Sequence, residues 1–363
     1  VIEEIASLRN LWAAARRAAR GKRHRRSVAA VLLELESVVL ELERTLLDGS
    51  WRPGTPGLHE VRDPKRRLIA AAPFRDRIVH QALCAIVAPL LDRHLIAHSY
   101  ACRSGLGTHA ALAKAKAWAR GHRYFVHLDV AKFFPTVDHA ILLAQLAHHI
   151  PCTRTLDLCA RIVAAGGALS AGPRRHFPGD DLFAPHARAI GLPIGNLTSQ
   201  HFANRYLSPV DHRAKDRLRV RAYLRYMDDL LLFGDDRATL ERHARAVEDA
   251  CWRQRLRLHP WQVRATREGV NFLGFRILDD HVRVRRTSVA RAEKRLAALA
   301  RAVREGHLSE GAFAQSLRST FAHWRHADTW RLRERTLKRL GKLHDPGEPE
   351  MWREHVLPDG DAP

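Results

Sequence analysis

Cysteine is sparse in this chain, and what there is does not pair. The five cysteines, Cys84, Cys102, Cys152, Cys159 and Cys251, are odd in number and scattered, with no CxxC couple. That pattern argues against a disulfide framework or a zinc site and for a reducing compartment. The 23 histidines include no HExxH pattern, which leaves out the common zinc-hydrolase arrangement. No apolar run approaches a membrane span, and the opening VIEEIASLRNLW reads as an amphipathic helix rather than a signal peptide. A cytoplasmic chain without a membrane partner is the expectation. Acidic residues are also short: 39 Asp and Glu stand against 61 Lys and Arg, for a formal net charge of +22. The basic residues run through the whole length, and a field of that sign suits a polyphosphate partner such as nucleic acid. Codon bias explains why lysine is scarce beside arginine, but not why acids are so outnumbered.

What is present is enough hydrophobic residue, 46% of 363, for a real core, and a length that predicts two or three subdomains. Helical periodicity predicts helices over 2–20 and 28–47, the second capped by Ser27, with the basic loop GKRHRR between them. A Pro/Gly-rich break at 49–57 precedes a strand pair over 58–72 turned at Asp63-Pro64, then helices near 75–97 and 108–120. From 123 to 285 the pattern is mixed. It holds a strand at Tyr124–Asp129, helices at 138–149, 155–165 and 196–216, and a hairpin formed by 220–226 and 230–233. A helix at 237–255 and short strands near 263–267, 270–277 and 281–285 follow. Beyond 286 the chain reads as helical and basic to about 343, capped at Ser288 and broken at Gly306 and Ala327-Asp328, with a loose tail over 345–363.

The most informative stretch is YLRYMDDLLLFG, 223–234, in which Asp228 and Asp229 sit side by side between apolar strands. Two like charges about 4 Å apart repel by roughly 4 kcal/mol at an effective dielectric near 20, so something must offset them. A solvated turn is the bland reading. The sharper one adds Asp129, which ends the strand in HRYFVHLDVAKFFPTVDH, 122–139. Three carboxylates at a sheet edge would hold hard divalent cations, and Mg²⁺ accepts one or two carboxylates plus substrate phosphates. Two such ions stabilise the attacking and leaving oxygens of a phosphoryl displacement.

With these motifs in this order, the chain resembles the reverse transcriptases over about residues 50–345. The resemblance implies an α+β right-hand polymerase with fingers, a palm of antiparallel sheet plus helices, and a short helical thumb. It divides the chain into a basic helical extension (1–48), fingers (49–122), palm (123–285, with an inserted segment about 150–190), thumb (286–344) and tail (345–363). It implies two Mg²⁺ ions, for which Mn²⁺ can substitute, held by Asp129, Asp228 and Asp229 as catalytic residues, with Val130 as a further ligand. The third carboxylate in the family supports the site more than it binds metal.

Lys65 and Arg67 of RDPKRRLI then fall over the incoming deoxynucleotide, and Phe134, five residues after Asp129, falls under its sugar as a gate against a 2′-hydroxyl. Gly195 and Gln200 of GLPIGNLTSQHFANRYL join the nucleotide site, where a residue without Cβ lets backbone approach a base pair. Arg103 and Ile194 fall along the template. Phe272, Leu273 and Gly274 of NFLGF fall at the primer terminus, and Arg291 and Arg295 fall along the duplex.

Many relatives carry Gln-Gly…Ser-Pro where this chain has Ile194-Gly195…Ser199-Gln200. That variant resembles the enzymes of diversity-generating retroelements, which copy a template RNA with frequent errors at adenines. Relatives also commonly have a lysine where Gln262 stands, as the acid for leaving pyrophosphate, and glutamine cannot fill that role. The partners implied are an RNA template, a DNA primer and its cDNA, and deoxynucleoside triphosphates. The basic N-terminal helices suit a structured non-coding RNA or a small accessory protein. The competing readings are an antiphage-defence or group II intron-like enzyme, and an RNA-binding scaffold without catalysis. Fewer than about 80 residues follow the palm, so no appended nuclease domain is expected.

Overall fold

The computed structural model describes residues 1–62, 66–167 and 172–344. The chain is an α+β protein with antiparallel pairing in each strand pair whose register is defined. Contacts divide it into two compact units that do not follow chain order. One comprises 1–107, 127–232 and 241–262; the other comprises 108–126, 233–240 and 263–363. Among the described residues no helix is long and apolar enough to cross a membrane.

The chain opens with α1 (Ile2–Ala6) and α2 (Leu8–Ala19), then α3 (Arg26–Leu33) and α4 (Leu35–Leu47). The single helices expected over 2–20 and 28–47 are therefore each two. Ser7 leaves helical geometry at ψ 140 and its hydroxyl accepts from the Asn10 amide, restarting the helix. Glu34 breaks the second pair, and Ser27 lies inside α3 behind an Arg25 cap. The strands β1 (Gly57–Arg62) and β2 (Arg66–Ala71) pair antiparallel as expected, while their predicted turn at Asp63-Pro64 lies outside the described residues. Then come α5 (Phe74–Asp92), α6 (Thr108–Gly121), β3 (Tyr124–Asp129), α7 (Phe133–Thr136), α8 (His139–Ala147), α9 (Thr153–Gly167) and α10 (Ala184–Ala187). The helix α11 (Leu197–His212) runs into a π-helical turn, Arg213–Arg217, before the hairpin β4 (Tyr223–Tyr226) and β5 (Asp229–Gly234). The remainder is α12 (Arg237–Arg253), β6 (Arg264–Ala265), β7 (Val270–Phe272), β8 (Phe275–Ile277), β9 (Val282–Val284), α13 (Arg286–Arg304), α14 (Glu310–Trp324) and α15 (Trp330–His344).

In the first unit, α5 and α11 form the apolar spine. Ile78, Val79, Leu83 and Val87 of α5 and Phe202, Tyr206, Leu207 and Val210 of α11 are buried. In the four-stranded sheet β5 lies between its hairpin partner β4 and β3. The segment before α11 is locked to this unit by charge. Asp138, fully buried, caps α8 at the Ile141 amide and binds Arg188 Nε at 3.1 Å and Arg255 Nη1 at 2.6 Å. Arg188 also binds Asp180. Ions this buried persist only when paired and hydrogen-bonded.

In the second unit, β7, β8 and β9 form an antiparallel sheet, and α13, α14 and α15 pack around Leu296, Phe313, Leu317, Phe321 and Trp324. Asp328 ties the bundle to the sheet: its carboxylate accepts from the Val282 amide at 2.7 Å, and its own amide donates to the Val282 carbonyl at 2.9 Å. Breaks occur near Gly306 and Asp328 as expected, but Ser288 lies inside α13, which is capped by Arg285. The tail expected over 345–363 lies outside the described residues.

Candidate active site

Alternation along β3 buries Phe125, Val126 and Leu128 and leaves His127 and Asp129 half-exposed, two residues apart and therefore on one face. In the hairpin, Tyr226 pairs with Asp229, so Met227 and Asp228 form a two-residue tip. Met227 takes a φ of 53°, left-handed backbone that a methionine rarely adopts. Such strain persists only where surroundings over-determine it. Here the surroundings include a fully buried arginine. Arg225 binds the Asp211 carboxylate through Nε at 2.9 Å and Nη2 at 2.8 Å. It also reaches the Asn204 side chain at 3.0 Å and donates to the Met227 carbonyl at 3.1 Å. Burial opposes the Arg225 charge, and the Asp211 carboxylate more than offsets it, so its pKa moves up.

The strand ends meet at main-chain level. The Val130 amide donates to the Asp228 carbonyl at 3.2 Å. On the other side, the His259 amide donates to the Asp129 carbonyl and the Ala131 amide to the Arg257 carbonyl, each at 2.8 Å. The backbone around Asp129 is thus clamped between the Asp228 tip and the 257–259 segment. Asp229 is handled differently: its Oδ1 lies 2.7 Å from His127 Nε2. Among the described residues no three acidic, His or Cys side chains form a ready-made metal cluster in the chain by itself. The Asp229 carboxylate is engaged by the histidine, while Asp129 and Asp228 stand at adjoining segment ends. That donor set still fits Mg²⁺, a hard cation satisfied by one or two carboxylates with substrate phosphates completing its shell.

The neighbouring motifs fall as follows. Phe133 is buried and Phe134 is only half-buried, with its carbonyl accepting from the Leu192 amide at 2.8 Å. Gly195 has φ +109°, and a Cβ there would lie 2.7 Å from Ile69 Cγ2. The Ala70 amide donates to the Ile194 carbonyl at 3.1 Å, which joins β2 to this loop. Gln200 accepts at Oε1 from the Cys102 thiol at 3.2 Å. Arg103 commits its guanidinium to main-chain carbonyls of Ile96, Ser99 and Asp92, which staples its own loop. Arg67 lies on β2 opposite Val61, and Lys65 lies outside the described residues. Gln262 is exposed.

In the second unit, Leu273 (φ 47°) and Gly274 (φ 86°) form the tight turn between β7 and β8, beside buried Phe272. Arg291 and Arg295 stand on the exposed face of α13, and Arg295 reaches the Thr320 hydroxyl at 2.8 Å. Sequence reasoning missed Arg225 and His127. A charged residue inside an otherwise apolar strand was the available signal for the first, and position i−2 from Asp129 for the second.

Residues 61–277, more than half of the chain, match the family described as reverse transcriptase (RNA-dependent DNA polymerase). The chain belongs to the reverse transcriptase family. It is 25% identical over 248 residues to Protein YkfC of Escherichia coli, covering 59% of this chain and 64% of that protein. It is 25% identical over 142 residues to the putative COX1/OXI3 intron 1 protein of Saccharomyces cerevisiae, covering 39% and 16%. Against the group II intron-encoded protein LtrA of Lactococcus lactis it is 22% identical over 179 residues, covering 48% and 28%. The chain thus spans less than two thirds of each of these relatives. Family membership carries the right-hand polymerase fold, with which the mixed helical and antiparallel architecture agrees.

Proposed function

We propose that this reverse transcriptase chain makes DNA on an RNA template, with Asp129 and Asp228 holding two divalent cations at the end of β3 and the tip of the β4–β5 hairpin. The observation that carries the reading is the Val130–Asp228 main-chain bond, which joins the ends of two segments about a hundred residues apart in the chain. Mg²⁺ bound there would supply charge stabilisation to the attacking 3′ oxygen and the departing pyrophosphate. The protein's own contribution is positioning. Arg225 fixes the tip through the Met227 carbonyl, and His127 holds Asp229 so that it supports the hairpin. Phe134 closes off the space a ribose 2′-hydroxyl needs. Gly195 leaves room beside Ile69 for the nucleotide loop. Lys65 and Arg67 neutralise the triphosphate, and Ile194 and Gln200 face the templating pair.

On this reading residues 49–122, 123–285 and 286–344 serve as fingers, palm and thumb. Phe272, Leu273 and Gly274 grip the primer terminus, and the α13 arginines track the duplex. The Ile194-Gly195…Ser199-Gln200 variant favours a diversity-generating role with errors at adenines over intron mobility or defence, because an apolar Ile194 removes a polar contact near the templating base. The deciding experiment is primer extension on a defined RNA template with Mg²⁺, followed by sequencing of the cDNA and with Asp228→Asn as control. Extension abolished by Asp228→Asn supports the polymerase. No extension by the unmodified chain leaves an RNA-binding scaffold, and an error spectrum without adenine enrichment removes the diversification role.

A further inference from the structure

The segment 96–103 is tied down to an unusual degree for a loop. The Tyr100 amide donates to the Arg225 carbonyl at 3.0 Å, and the Arg225 amide donates to the His98 carbonyl at 2.9 Å. Asn204 donates to the Ala101 carbonyl at 2.7 Å, and Arg103 binds the Ile96 and Ser99 carbonyls of the same stretch and the Asp92 carbonyl at the end of α5. Within this frame Cys102 is held at φ 56°, left-handed backbone that a residue with a Cβ rarely adopts. The enforced conformation has one visible product: the Cys102 thiol donates to Oε1 of Gln200 at 3.2 Å. Burial, with Asp92 nearby, pushes the Cys102 thiol pKa up, so the thiol stays protonated and remains a donor at neutral pH.

A carboxamide has two nearly isosteric ends, one accepting and one donating. Once its oxygen is engaged by a thiol that can only donate well, the NH2 end is left as the working end. Gln200 is half-exposed, and its NH2 has no protein partner among the described residues. It lies on the first turn of α11, six residues after Ile194, whose carbonyl receives β2. An NH2 group is suited to the acceptors that base pairs carry on their minor-groove edge whatever their sequence, so it would test pair geometry rather than base identity.

We propose that Cys102 is a positioning residue for nucleotide selection, fixing the Gln200 carboxamide so that its NH2 faces the templating pair as a donor. The inference rests on the polymerase reading above, and two arms keep the failures apart. In single-nucleotide incorporation on RNA templates of each base, Cys102→Ala raises misincorporation about fivefold, the effect of losing one ordinary hydrogen bond, while kcat for the correct nucleotide stays within twofold. Cys102→Ser restores selectivity because the hydroxyl donates to the same oxygen. Gln200→Ala raises misincorporation at least as much as Cys102→Ala, and the double variant misincorporates no more than Gln200→Ala alone. The second arm needs no activity. Gln200→Ala accelerates alkylation of Cys102 by iodoacetamide severalfold, measured by peptide mass spectrometry against Cys152 in the same chain. Equal error rates in the alanine and serine variants overturn the proposal, as do additive effects in the double variant. An unchanged Cys102 alkylation rate overturns it even if the chain makes no DNA.

Discussion

Removing the carboxylate of Asp211 isolates the Arg225 charge in a place water does not reach. Both side chains are 0% exposed, and the guanidinium makes two close contacts to the carboxylate. Asp211 also accepts from the Tyr223 hydroxyl at 2.7 Å. Breaking a buried ion pair from one side costs about 3–5 kcal/mol, because the remaining charge stays desolvated. Against a typical total of roughly 5–15 kcal/mol, that is a large fraction. At about 2–4 °C per kcal/mol, Asp211→Leu lowers Tm by roughly 6–20 °C in differential scanning fluorimetry.

The informative variant is the double one, Arg225→Met with Asp211→Leu. An apolar pair of similar volume removes the stranded charge, so much of the lost Tm returns. Activity does not return, since nothing then holds the Met227 carbonyl and the strained tip relaxes away from Asp129. Primer extension and Tm therefore separate in this variant. A double variant with wild-type extension refutes the assignment of Arg225 to the hairpin tip. An Asp211→Leu Tm within about 2 °C of wild type refutes the energetic argument.

Other outcomes follow from the same geometry. Gly195→Ala forces a Cβ to within 2.7 Å of Ile69 Cγ2 at φ +109°, so extension falls at least tenfold; Ile69→Ala in the same chain relieves the clash but not the backbone strain and restores only part. Phe134→Ala raises ribonucleotide incorporation by an order of magnitude or more relative to deoxynucleotides, read as the ratio of kcat/KM values. His80 is buried and its pKa is pushed down to about 4 by loss of solvent, so the folded state binds fewer protons than the unfolded one. Its contribution is intact above the unfolded value near 6.5 and is lost as pH falls from there toward 4, amounting to about 3 kcal/mol by the lower end. His80→Leu flattens that acid limb in urea titrations across pH. Asp138→Ala strands Arg188 and Arg255, and limited trypsin digestion then cuts after Arg174 or Arg175 severalfold faster than in the parent chain.

Local pattern was enough to read β3, the hairpin, α12 and the breaks between the C-terminal helices. Each is set by residues a few positions apart, such as the alternation of Tyr124–Asp129. The helix breaks at Ser7 and Glu34 were not legible, because periodicity does not register a single non-helical residue. Ser27 and Ser288 look like caps by residue type, yet Arg25 and Arg285 occupy those positions. For the site, adjacency of Asp228 and Asp229 and the apolar flanks pointed to the hairpin tip. The contact of His127 with Asp229 and that of Cys102 with Gln200 span about a hundred positions each, and composition carries no trace of them.

The π-helical turn at Arg213–Arg217 has a consequence for how the chain tolerates deletions. It stands between a helix anchored by Tyr206 and Val210 and a strand whose every second residue faces the other way. A wide turn accommodates one more residue than an α-turn over the same span. Losing a single residue there and closing it to α would advance β4 by one step, and in a strand one step exchanges the two faces. Leu224 and Arg225 would trade environments, driving the guanidinium into the buried apolar place of Leu224 and an aliphatic chain toward Asp211. The residue count between α11 and β4 is thus as constrained as the identity of any side chain in the hairpin.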